Sequence, residues 1–90
     1  VTIDRINDIE RVPLAIDYRR MYRAQLYVTV GGRTVGPTSI EFVLEMSPLG
    51  THEVSVNFLD RTDYPTVPAI RMIKERIATL DRDGTLNSVT

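Results

Sequence analysis

Between Arg19 and Tyr27 every second residue carries a group able to recognise another molecule: Arg19, Met21, Arg23, Gln25 and Tyr27. Period-two spacing puts these five on one face of an extended strand, with Tyr18, Arg20 and Tyr22 on the other. Guanidinium groups hold phosphates while aromatic rings stack on bases, so this interleaving suits a single-stranded nucleic-acid platform. Tyr, Met and Arg are also the side chains enriched at protein interfaces. Glu41, Glu45 and Glu53 sit on neighbouring strands within cross-strand reach of Arg19 and Arg23. There they can pair with the cations and cancel the patch. A salt-bridged outer face is the plainer expectation.

Other chemistry is thinner. His52 is the only histidine, so one chain cannot build a multi-histidine metal site or a histidine dyad. Near a turn on the apolar face, it reads as a partly buried, hydrogen-bonded structural residue. Ser39, Ser47, Ser55 and Ser88 lack a nucleophile-elbow setting. Gly31-Gly32 and Gly36 lack the lysine and following helix of a phosphate loop. Asp60 and Asp63, close to Glu53, could form an acidic pair, although a solvated loop accounts for them equally simply. Cysteine is absent, which removes disulfides, thiolate chemistry and zinc-thiolate sites. No cofactor and no metal are expected.

The run Leu80-Asp81-Arg82-Asp83-Gly84-Thr85-Leu86-Asn87 resembles the first motif of haloacid dehalogenase superfamily phosphatases. The resemblance implies Asp81 as nucleophile and Asp83 as general acid/base, with Mg²⁺ between carboxylates. In that family the motif follows a core strand and opens a doubly wound domain. Here a helix pattern precedes it, and Asn87 to Thr90 are all that follow. The competing expectation is a helix C-terminus whose Asp and Gly residues form a turn. The same run resembles the middle of an EF-hand calcium loop. The anchoring carboxylates of such a loop would fall at Thr79 and Thr90, which cannot supply them.

The elements that must position these residues are legible from periodicity. Alternation from Tyr18 to Val30 leads into Gly31-Gly32, a pair suited to a tight hairpin. Val35 should then lie opposite Val28 on the buried face, and Gly36-Pro37 should disturb the pairing. Alternation resumes at Ile40, Phe42, Leu44 and Met46, turns at Ser47-Pro48-Leu49-Gly50, and returns through His52, Val54, Val56 and Phe58. Beyond Leu59 the period changes. Thr66 is the expected N-cap, and Val67, Ile70, Ile73, Ile77 and Leu80 define one stripe of a helix over Val67–Arg82. Gly84 is a natural stop.

The path of the first sixteen residues is the least legible. Ile3, Ile6, Ile9 and Val12 recur every three residues, which drifts around a helix. Val12, Leu14 and Ile16 continue the even-numbered alternation. A break near Asp17–Arg20 and a first strand around Glu10–Ile16, at an edge because of Pro13, are expected. Residues 1–9 and 85–90 are expected to be loosely ordered.

The resulting fold is α+β: a four-stranded antiparallel β-meander packed against one C-terminal α-helix, β-β-β-β-α, in a single domain over residues 1–90. Such a sheet and helix also resemble the repeating unit of Whirly-type single-strand binders. Composition agrees with one modest core: 90 residues, 42% hydrophobic, with a net charge of −1 that provides no global pull on nucleic acid or anionic membrane. Ten of the eleven basic residues are arginine, with Lys74 the one lysine, which reads as compositional bias. No apolar run approaches the ~20 residues that cross a bilayer.

The expected function is non-enzymatic: a small interaction module for protein–protein association through the outer sheet face or an edge strand. Its partner would be another protein or a second copy of this chain, in the cytoplasm and away from membranes. Outward Val43 and Leu59 fit a two-fold dimer that pairs faces or edges. Single-stranded nucleic-acid binding through Arg19, Arg23 and Tyr27 is the alternative, and phosphatase-like chemistry at Asp81/Asp83 the second alternative.

Overall fold

The structure is a computed structural model that describes residues 1–16 and 18–89. Strands β1 (Thr2–Val12), β2 (Arg19–Val30), β3 (Arg33–Met46) and β4 (His52–Phe58) precede helix α1 (Thr66–Arg82) and a 3₁₀ turn, η1 (Thr85–Ser88). The strands form one antiparallel sheet in the order β1-β2-β3-β4. This is the expected β-β-β-β-α meander. Alternation puts Tyr22, Ala24, Leu26 and Val28 of β2 beside Ile40, Phe42 and Leu44 of β3 on the inner face. Ala69, Ile73 and Ile77 of α1 close over them. Tyr22 and Phe42, paired across β2 and β3, stack with ring centroids 5.1 Å apart. An apolar stripe and an apolar sheet face are each unstable in water alone, and each covers the other.

The first strand departs from expectation and explains the three-residue spacing. β1 spans Thr2–Val12 rather than Glu10–Ile16, so residues 2–9 belong to the sheet and are not loose. Its register with β2 slips between Ile3 and Arg5, and again between Asn7 and Glu10. Each slip inserts one extra residue, a β-bulge, and each bulge reverses which face the next side chain takes. Two reversals therefore bring Ile3, Ile6 and Ile9 onto the core side. Val12 lies beyond the second bulge, opposite Met21, on the outer face. Asp8 supplies the left-handed backbone at φ 52°, a conformation aspartate tolerates better than most residues. Pro13 follows the last strand residue and ends the ladder. Of the expected break at Asp17–Arg20, Arg19 and Arg20 already belong to β2, while Asp17 lies outside the described residues.

Three smaller corrections follow. The N-cap of α1 is Pro65 and Thr66 is the first helical residue. Ala69, not Val67, occupies the buried stripe, leaving Val67 74% exposed. His52 is exposed, not partly buried, because β4 is an edge strand and His52 is its first residue. Residues 85–88 are ordered: the 3₁₀ turn drives Leu86 into the core at 1% exposure. Thr90 lies outside the described residues. Val35 does pair with Val28, yet it remains exposed. A 17-residue helix is about 25 Å long at 1.5 Å per residue, whereas a 14-residue strand runs about 45 Å. The hairpin tip consequently overhangs the roof.

Between Leu26 and Val28 the β2–β3 register slips across Gly36-Pro37. Gly36 has φ 141°, and a Cβ there would stand 2.7 Å from the Leu26 carbonyl oxygen. Only glycine lets the backbones approach this closely.

Candidate functional site

The outer face carries all five expected residues side by side. β2 provides Arg19, Met21, Arg23, Gln25 and Tyr27, and β3 sets Glu45, Val43, Glu41 and Ser39 opposite the first four. Arg19 Nη2 donates to Glu45 Oε2 at 2.8 Å, and Arg23 Nε to Glu41 Oε2 at 3.3 Å. Gln25 Nε2 donates to Ser39 Oγ at 3.2 Å. Tyr27 is paired with Arg5 on β1, whose guanidinium carbon lies 3.9 Å from the ring centroid. Glu10 adds a carboxylate opposite Arg23 from the β1 side, and Glu53 stands opposite Glu45 from the β4 side. The cations of this face are thus met by acids, and its best aromatic surface is already covered by a guanidinium.

Met21 holds the centre of an apolar row, with Val12 on one side and Val43 on the other. All three are half-buried, and the charged rows flank them. Side chains that cover one another in this way leave little bare apolar surface.

Asp81 and Asp83 are both engaged in holding the chain. Asp81, near the end of α1, accepts from Arg20 Nη2 at 3.0 Å, and Arg20 Nη1 also donates to the Tyr22 hydroxyl at 3.3 Å. Burial works against the charge on Arg20, but the Asp81 hydrogen bond, with the charges of Tyr22 and Asp81, outweighs it and holds the guanidinium above the usual arginine range. The ion pair ties the inner face of β2 to the C-terminal end of the helix. Asp83 Oδ1 accepts from the Thr85 hydroxyl at 2.6 Å and the Thr85 amide at 2.9 Å. Those two bonds, the hydroxyl first, hold its carboxyl below the usual aspartate range. With Gly84 at φ 85°, this is an Asp-anchored turn that stops one helix and starts the next. Among the described residues no group of three His, Cys, Asp or Glu side chains is placed to hold a metal ion.

The two sheet edges differ. β1 is interrupted twice by its bulges and carries Asp4, Asp8 and Glu10. β4 is straight in register from His52 to Phe58, with neither proline nor bulge. Ser47 N donates to Thr51 O and Leu59 N to Ser39 O, which identifies the odd-numbered residues of β4 as those bonded to β3. In an antiparallel ladder the alternate residues point their N–H and C=O the other way. On β4 these are His52, Val54, Val56 and Phe58, and no strand lies beyond them among the described residues.

One protein-family model matches residues 1–82. The chain belongs to the BB_0187 family. No curated protein and no solved structure matches it. In this family member the match takes in all four strands and the whole of α1. It includes Asp81 and stops before Asp83, Gly84 and Thr85.

Sequence reasoning grouped the outer-face arginines with their acids, because alternation fixes both strands. It missed Arg5 over Tyr27, since the bulges of β1 hide which residues meet β2. It also missed Arg20 with Asp81, which joins a strand to a helix 61 positions away. No local pattern reports that distance.

Proposed function

We propose that this chain is a non-enzymatic protein-association module that takes its partner by strand addition at β4. One observation carries the reading: Val54 and Val56 turn their backbone N–H and C=O outward along an edge without bulge or proline. Natural edge strands are normally blunted by such devices, and β1 carries two of them. An added strand would satisfy the free backbone groups, and alternate side chains would set its register. The cytoplasm belongs to this proposal as its setting, since strand addition needs neither a disulfide nor a bilayer.

Single-strand nucleic-acid binding has less support. Arg19 and Arg23 are committed to Glu45 and Glu41, and the Tyr27 ring is covered by Arg5. Phosphatase chemistry also has less support, because Asp81 is bound to Arg20 and Asp83 to Thr85.

The test is a titration with a synthetic seven-residue peptide of alternating Val and Thr, followed by amide NMR. Shifts confined to residues 52–58 are expected, and their absence in Val56→Pro. Proline removes an outward N–H that β3 does not use, so the variant should keep its fold, checked by its thermal unfolding curve. A peptide that leaves the β4 amides unmoved, or that binds Val56→Pro equally well, would overturn strand addition.

A further inference from the structure

Resting on that reading, we infer that the strand added at β4 is the β4 of a second copy of this chain, paired antiparallel about a two-fold axis through Ser55. The open groups belong to His52, Val54, Val56 and Phe58. Two identical antiparallel edges can pair only where outward-pointing residues meet outward-pointing residues. Among the registers that satisfy this, one engages all four. It sets Val54 against Val56 of the second copy, and His52 against Phe58 of the second copy. Each such pair exchanges two N–H···O bonds, so full overlap makes about eight.

The side chains agree with that register on both faces. On the inner side Val54 and Val56, half-buried in the single chain, meet their counterparts and extend the apolar sheet across the junction. On the outer side Ser55 meets Ser55, and Glu53 meets Asn57 of the second copy. Glu53 already faces Glu45 across β3, so a register that set two Glu53 residues together would stack like charges. The Ser55-centred register avoids this and gives Glu53 an amide partner.

Because the axis runs perpendicular to the sheet, both helices lie on the same side of a continuous eight-stranded sheet. The groove between β4 and α1, lined by Leu44, Val54, Glu75 and Ala78, then gains a floor from the neighbouring strand. β1 remains the outer edge at each end of the assembly, where its bulges stop further addition. The association therefore closes at two copies.

The absence of cysteine makes the register directly readable. Ser55 falls at a non-hydrogen-bonded pair, where Cα atoms lie about 4.5 Å apart, within disulfide reach. Mild oxidation of the full chain carrying Ser55→Cys should give a covalent dimer, nearly quantitative at concentrations where the unmodified chain sediments at twice 10.2 kDa. Asn57→Cys lies some four residues from its own copy, about 13 Å along the strands, and should remain monomeric under the same oxidation. Asn57→Cys linking as readily as Ser55→Cys would overturn the register. A chain that sediments at 10.2 kDa at every concentration, with neither variant linked, would overturn self-pairing. In that last case peptide-induced shifts in residues 52–58 would still stand for strand addition by a different partner. Loss of both would remove the whole reading.

Discussion

At the scale of single residues, Gly36 combines two constraints that no other side chain meets. Its φ of 141° is closed to L-residues, and an added methyl carbon would press 2.7 Å from the Leu26 carbonyl oxygen. Since that oxygen belongs to the core strand β2, relief would require the ladder itself to move. Gly36→Ala should lower stability by roughly 2 kcal/mol or more, read as an earlier urea midpoint at unchanged slope. Gly31 and Gly32, also at positive φ, have open space around them, so alanine there meets backbone strain alone. Arg20 and Asp81 work by another logic: each is mostly shielded from water, and each relieves the desolvation of the other. An aspartate whose spacing invites a nucleophile reading serves as the helix end of that pair.

At the scale of elements, β1 shows how a strand can hide in a sequence. Bulges at two places convert a spacing of three into a single face, and Asp8 holds the second of them. Deleting Asp8 should turn Ile3 and Ile6 toward solvent, whereas Asp8→Gly keeps the bulge and relaxes its backbone. Denaturant unfolding should register a loss of about 3 kcal/mol or more for the deletion and only a few tenths for the glycine. β2, β3 and β4 were legible because their alternation is unbroken and their turns carry Gly-Gly and Pro-Leu-Gly. The helix was legible within one residue at its start, but its rotation was not. Nothing local says that Ala69 faces inward while Val67 does not, because a small residue at the contact is chosen by how closely the helix approaches the sheet. The outer-face partners Arg19–Glu45 and Arg23–Glu41 followed from register alone. The open β4 edge needed the ladder's hydrogen bonds, since sequence reports facing but not which way a backbone amide points.

At the scale of the whole molecule, charge decides against one class of ligand. Net charge is −1, and the arginines of the outer face stand opposite Glu10, Glu41 and Glu45. Nucleic-acid affinity begins with uncompensated cations that displace counterions. A poly-dT oligomer at low salt should therefore show no retardation in a gel, and a shift that weakens steeply with added salt would contradict this. No helix among the described residues is long and apolar enough to cross a membrane. Dimensions of 40 × 24 × 23 Å reflect a β2–β3 hairpin longer than the helix that covers it.

The order of strands in space repeats their order along the polypeptide. Each strand can therefore dock on the one made just before it, so that a nascent chain can zip the sheet while still leaving the ribosome. Only the roof must span a great distance, as Arg76 does in reaching the Ile3 carbonyl from 73 positions away. Short-range pairing of this kind favours rapid folding, and it leaves the greasy underside of the newborn sheet bare until synthesis has passed Ile77. That interval, rather than the finished molecule, is when a chaperone would have most to hold.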